Sequence, residues 1–235
     1  MTGLRHRKDL FISMKLLLVS DTEDKALWDY YSPSRVEGID LIISCGDLDP
    51  DYLQFLVTMI NRPLLYVRGN HDRYYDDNPP CGCTCIEDSI YDFRGLRIIG
   101  LGGSMRYKPG MDQYSENQMR GRIRRLAPQI RLRNGFDLLV THAPAKGWGD
   151  LDDLPHRGFD CFNNLLENWC PAYMVHGHVH RAYGSFRRRR THTSGTVIIN
   201  ACQSHILEIG AESHPPQGKT GSFLYDLYMS VKKNS

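Results

Sequence analysis

Two stretches decide how the chain is read: LLYVRGNHD at residues 64–72 and AYMVHGHVH at residues 172–180. Each starts as a short apolar run and ends in a glycine followed by side chains of metal-ligand type. These are Asn70 and His71 in the first, His178 and His180 in the second. A short apolar run bounded by glycine reads as a buried strand. The pattern recurs along the chain. KLLLVS (15–20) precedes Asp21, DLIIS (40–44) leads to Asp47, and FDLLV (136–140) leads to His142. In an open α/β sheet, side chains just beyond the carboxyl ends of strands converge on one crevice. A single Asp or His after a strand is usually a cap or turn residue. Five strand ends, all carrying Asp, Asn or His, point instead to a divalent-metal centre with mixed oxygen and imidazole ligands.

Further strands are expected at 96–101, and helices at 51–61 and 115–133. The second helix places Met119, Ile123, Leu126 and Ile130 on one face and opens with Ser115 and Gln118 as a capping box. Pro128 is expected to kink it or to end its first half. Strands alternating with helices predict an α/β fold with a largely parallel sheet covered on both faces. After residue 182 the pattern turns to hairpins, at 183–186, 197–201 and 206–208.

The chain has 235 residues, 41% hydrophobic and 24% charged, which suits one globular domain. Its net charge is +2, already accounted for by Arg5, Arg7 and Lys8 against Asp9, so global charge gives no reason to expect a nucleic-acid partner. RHRK followed by LFISMKLLLVS imitates a signal peptide. Lys15 interrupts the run, however, and no small-residue cleavage site follows. No run approaches the ~18 apolar residues of a membrane span. The expected organisation is a dispensable extension at 1–13, a domain at 14–210 and a loosely held tail at 211–235. Seven cysteines in no regular framework suit a reducing cytoplasm. CGCTC (Cys81, Cys83, Cys85) lacks the second cysteine pair that a structural zinc site needs.

The series SD, GD, GNHD, TH and GHVH, in this order and with comparable gaps, resembles the calcineurin-like metallophosphoesterase family from residue 14 to about 208. The resemblance implies a four-layer fold, two mixed sheets flanked by helices, in place of one parallel sheet. It implies that Asp47 bridges two divalent ions. One ion would add Asp21 and His180, and the other Asn70, His142 and His178. A metal-activated water would then attack a phosphate mono- or diester, and His71 resembles the family's general acid. One position departs from the pattern. The family carries Asp-x-His at the first motif, whereas SDTED puts Glu23 where that His stands. Glu23 either ligates, favouring Mn²⁺ or Fe with Zn²⁺ as the alternative, or points to solvent.

Arg68 resembles the arginine before the same motif in serine/threonine phosphatases. It is either a phosphate clamp or a salt-bridging surface residue. PHRGFDCF (155–162) resembles a segment of some bacterial members, and His156 in it either lines the substrate pocket or anchors its loop. His176 reads as a hydrogen-bonding neighbour of the ligands. Asp72 either orients His71 or caps a turn. Four arginines at 187–190, in an expected hairpin loop, and those around 120–133 either hold a polyanion or are solvated surface, the latter favoured because no aromatics interleave them. The leading expectation is a soluble phosphoesterase. A phosphodiesterase or nuclease is the second reading, and a non-catalytic protein-binding scaffold of the same fold is the third.

Overall fold

The computed structural model describes residues 13–183, 186–210 and 220–233. Thirteen strands and four helices alternate along it. The first half holds β1 (Met14–Ser20), β2 (Leu41–Ser44), α1 (Pro50–Ile60), β3 (Leu64–Tyr66), β4 (Thr84–Cys85), β5 (Ser89–Phe93) and β6 (Leu96–Leu101). Then come β7 (Ser104–Met105), β8 (Gln113–Tyr114), α2 (Glu116–Leu132), β9 (Leu138–Thr141), α3 (Asp160–Trp169) and β10 (Tyr173–His176). The chain continues with β11 (Arg189–Thr191), β12 (Val197–Asn200), β13 (Gln203–Ile209) and α4 (Phe223–Lys233).

These strands form two large mixed sheets, ordered β13-β1-β2-β3-β4 and β11-β12-β10-β9-β6-β5. The single parallel sheet read from strand alternation is therefore corrected to two, as the family resemblance implies. Side-chain alternation shows why four layers form. Leu16, Leu18, Leu41 and Ile43 face Ile98, Leu138, Val140, Val175 and Ile199 of the other sheet. The residues between them turn outward. Leu17, Val19 and Ile42 pack under Tyr52, Leu53 and Leu56 of α1. Ile99, Leu139, Met174 and Ile198 pack under Met119, Leu126 and Ile130 of α2 and Phe162 and Leu166 of α3. Strands covered on both faces must be apolar at every position, which is why KLLLVS and DLLV show no alternation.

The helices are bounded locally. Asp49 accepts from Asp51 N at 2.8 Å at the start of α1, and Asn61 ends it in a left-handed conformation, φ 53°. The Ser115–Gln118 capping box forms at α2. Pro128 is exposed and does not end that helix, which runs through to Leu132. Sequence periodicity did not single out α3. Its first amides are held by Glu116 of α2, which accepts from Asp160 N at 3.1 Å and Cys161 N at 2.7 Å.

The hairpins differ from expectation. Of the strand expected at 183–186, residues 184 and 185 lie outside the described residues; a strand forms at Arg189–Thr191, paired antiparallel with β12. Arg189 and Arg190 are thus strand residues, not loop residues. The last strand pairs with β1 in the other sheet. The extension at 1–12 lies outside the described residues, as do 211–219. Where the remainder of a loosely held tail was expected, Phe223–Lys233 is helical, with Tyr225 buried and its hydroxyl donating to Asp92 Oδ2 at 2.9 Å. Among the described residues no helix is long and apolar enough to cross a membrane.

Candidate metal centre

The parallel strands β1, β2 and β3 of one sheet and β9 and β10 of the other end at the same side, so both sheets deliver ligand-type residues to one crevice. The loops are stitched together there. Asp21 N and Ser20 Oγ both donate to Gly46 O at 3.1 Å, and Gly177 N donates to His142 O at 2.9 Å. A Cβ on Gly46 would sit 2.3 Å from Gly69 N, so only glycine lets the loops after β2 and β3 touch. Asp21, Asp47 and His178 have φ of 63°, 57° and 69°. Left-handed backbone costs roughly 1–3 kcal/mol per non-glycine residue and persists where surrounding structure imposes it, often at functional sites.

Ligand atoms of Asp47, His142 and His178 lie within 4.8 Å of one another. His142 Nε2 is 3.3 Å from Asp47 Oδ2, 3.2 Å from Asn70 Oδ1 and 3.1 Å from His178 Nδ1. Backbone carbonyls fix the imidazole roles. His142 Nδ1 faces Cys45 O at 2.8 Å and His178 Nε2 faces Pro155 O at 2.7 Å. A carbonyl only accepts, so those two nitrogens carry hydrogens. The lone pairs on the far sides then point at one another and at two acceptor oxygens. With both rings neutral, four acceptors converge without a donor, an arrangement that fits a cation. A second set adjoins. Asp21 Oδ1 accepts from His178 N at 2.8 Å and lies 4.0 Å from His180 Nε2. Asp21 Oδ2 is buried without a hydrogen-bond partner. An orphaned carboxylate oxygen in such a place also fits a metal ligand.

The electrostatics agree. Burial alone would raise Asp47, but His142 and the hydrogen bonds Asp47 accepts hold it below the usual carboxylate range. Burial would lower His142, but Asp47 and Asp21 lift it to about 10. Burial, then the His142 charge, push His178 down to about 3. Burial and Asp47 raise Asp21. Asp47 and Asp21 thus draw positive charge to the His142 position, there as a proton that a bound cation would displace, while His178 stays neutral, the form in which imidazole ligates.

His71 is exposed. Its amide donates to Asp47 Oδ1 at 2.8 Å, and its ring makes no hydrogen bond among the described residues. Asp72 does not orient it. Fully buried, Asp72 Oδ2 accepts from Asp47 N and Gly69 N, both at 2.8 Å, and so clamps the two ligand loops. Burial and Asp47 raise Asp72 to about 7. That clamp was not visible in the sequence, where Asp72 is only the last letter of GNHD. His176 is buried, its Nδ1 2.9 Å from Gly177 O.

Glu23 is exposed, and among the described residues no hydrogen bond or ion pair joins it to the crevice. Burial and the charges of Asp49 and Asp29 raise it. Arg68 is paired with Asp76 at 2.5 Å. His156 does reach the site. Its ring is 5.3 Å from that of His178 and 4.6 Å from that of Tyr183, and its Nδ1 is 2.6 Å from Asp153 Oδ2. Tyr183, which sequence reasoning missed, also lies 5.3 Å from the His180 ring.

Comparison with known proteins places the fold and the family. Two UPF0046 proteins of Caenorhabditis elegans are similar in sequence. One is 29% identical over 119 residues, 50% of this chain and 28% of its own length. The other is 25% identical over 224 residues, 80% of this chain and 74% of its own. The chain thus spans little more than a quarter of the first relative. The crystal structure of TT1561 of Thermus thermophilus superposes with a TM-score of 0.59 at 13% identity, over 85% of this chain and 100% of its own. Another crystal structure gives 0.63 at 12% identity, over 87% and 97%. Identities this low speak for the fold alone. A family profile described as the calcineurin-like phosphoesterase superfamily domain matches residues 14–203, which include every residue of the crevice, and the chain belongs to that superfamily.

Proposed function

We propose that the chain is a hydrolase that cleaves phosphate mono- or diesters with two divalent ions. The convergence of Asp47, Asn70, His142 and His178 on one point, with Asp21 and His180 beside it, carries this reading. Asp21, Asp47 and His180 would hold one ion; Asp47, Asn70, His142 and His178 would hold the other. Mixed oxygen and imidazole donors suit Mn²⁺ or Fe, with Zn²⁺ as the alternative. Such ions, when bound, supply Lewis acidity to phosphoryl oxygens and a nucleophilic water at neutral pH.

The chain's own residues supply the rest. His71, its amide on Asp47 and its ring exposed, gives the leaving oxygen its proton. Asp72 holds Asp47 and the GNHD loop in register. Pro155 O sets the His178 ring, and His156, held by Asp153, borders the substrate at that side. Glu23 is left outside the ligand set because it is exposed and makes no hydrogen bond or ion pair with the crevice among the described residues. Arg68, engaged by Asp76, anchors its loop. A reducing, cytoplasmic setting suits seven cysteines that are all free.

The test is hydrolysis of p-nitrophenyl phosphate and of bis-p-nitrophenyl phosphate, with Mn²⁺ and with EDTA. Metal-dependent release of p-nitrophenol supports the reading, and the preferred ester separates monoesterase from diesterase. Absence of hydrolysis and of bound metal would overturn it.

A further inference from the structure

Arginine is concentrated in the segment that follows the last candidate ligand. Arg181 directly follows His180, and Arg187, Arg188, Arg189 and Arg190 come soon after it in the chain. Among the described residues none of the five pairs with a carboxylate, a state they share with several arginines elsewhere on the surface; what sets two of them apart is how they are held. Two of the five are held in place. Arg188 Nη1 donates to Asn200 O at 2.9 Å and to Cys202 O at 3.3 Å, and Nη2 donates to Cys202 O at 3.3 Å. Arg181 Nη1 donates to Gln203 Oε1 at 3.1 Å. Both guanidinium groups lie over the Phe186 ring, 5.7 Å and 5.2 Å from its centroid. Burial, then the Arg181 charge, lower the pKa of Arg188.

Cys202 ties this pair to the metal centre. It bridges Ser20, the residue before Asp21, and its thiol is within electrostatic reach of both Asp21 and Arg188. A second account of the arginines is that they guard the open edge of β11 against pairing with another strand. That explains Arg189, which lies on the strand. It does not explain Arg181 and Arg188, which lie outside any strand, nor why Arg188 is anchored inward on carbonyls that leave its charge uncompensated.

We propose that Arg181 and Arg188 form a phosphate subsite next to the metal centre, so that the substrate is a small molecule carrying a second phosphate besides the one cleaved. A guanidinium fixed in its plane presents a ready fork to phosphate oxygens, and an anion between two neighbouring cations offsets their repulsion. Arg187 and Arg189, both exposed, stand nearby to attract it. Cleavage of the first phosphate rests on the hydrolase reading above; the subsite for the second does not.

Calorimetric titration of inorganic phosphate into the full chain, kept metal-free with EDTA at low ionic strength, tests the subsite independently of activity. Phosphate should bind. Arg181→Gln and Arg188→Lys should each weaken it roughly tenfold, the usual effect of losing a hydrogen bond to a charged group. Arg188 also supports backbone, so Arg181→Gln, confirmed folded by circular dichroism, decides the matter if Arg188→Lys fails to fold. No phosphate binding, or binding unchanged in Arg181→Gln, would overturn the subsite. With Mn²⁺ present, a hexose bisphosphate should then show a higher kcat/KM than the hexose monophosphate, and Arg181→Gln should bring the two values together. Equal kcat/KM values for the two sugars would overturn the substrate class. If neither sugar is cleaved, the hydrolase reading is what suffers, while the titration still decides the subsite.

Discussion

Gly177, between β10 and His178, is the position where a single methyl group does most harm. A Cβ there would lie 1.9 Å from Ser20 Oγ, 2.6 Å from Asp21 Oδ2 and 2.9 Å from Ser20 Cβ. Rotating the Ser20 hydroxyl away gives up its 3.1 Å bond to Gly46 O and still leaves the contact with Cβ. Ser20 cannot retreat, because it ends β1 and is registered against Gln203 of β13. The loop of His178 must therefore move off Asp21, breaking the 2.8 Å bond from His178 N to Asp21 Oδ1. Overpacking costs about 1–3 kcal/mol, and loss of a hydrogen bond to a charged group about 1.5–3 kcal/mol. Together they suggest a loss of about 4 kcal/mol for Gly177→Ala, a fall in Tm of roughly 8–16 °C for a chain of this size. Gly121→Ala is the control. It sits in α2 with its nearest neighbour, Arg125 Nη1, 4.0 Å away, and should gain about 1 kcal/mol from helix propensity. Thermal unfolding followed by circular dichroism, with Mn²⁺ titration of the folded protein, reads both effects. A Gly177→Ala protein with wild-type Tm and wild-type metal affinity would refute the reasoning.

His71→Ala should lower turnover by roughly 10²–10⁴ while bound metal stays constant; turnover within a factor of a few of wild type would remove His71 from the mechanism. Glu23→Ala should leave metal content unchanged on elemental analysis, and loss of an ion would restore Glu23 as a ligand. Burial, then the charges of His142 and Arg190, lower His176 from 6.5 to about 4. An imidazole that stays neutral in the folded chain favours the fold above pH 6.5. That stability is lost as pH falls from 6.5 through about 4, up to about 3 kcal/mol. His176→Gln should flatten the decline of Tm across this window in metal-free protein; parallel curves for the two proteins would contradict the assignment.

The crevice was legible because its residues follow buried strands. Asp21, Asp47, Asn70, His142, His178 and His180 each come at most four residues after an apolar run, and β-strand geometry sends such residues to one end. The division into two sheets was not legible from periodicity. A strand buried on both faces looks the same whether its second neighbour is a helix or another sheet, and only the family resemblance separated the cases. The pattern also failed where contacts are long-range. The start of α3 depends on Glu116, more than forty residues earlier. The place of β11 depends on its pairing with β12, and a run of arginines carries no strand signal of its own. The clamping role of Asp72, for which the sequence offered only an orienting or a turn-capping part, and the place of Tyr183 were missed for the same reason. Their roles come from loops that meet only in the folded chain.

Metal content of the purified protein after loading with Mn²⁺, beside that of Asp47→Asn, tests the central claim most directly, because Asp47 is the carboxylate assigned to both ions. Two ions per wild-type chain, with less than one and no ester hydrolysis in a folded Asp47→Asn protein, is the predicted result. A wild-type chain that takes up no metal, or an Asp47→Asn chain that keeps both ions and its activity, would contradict the account.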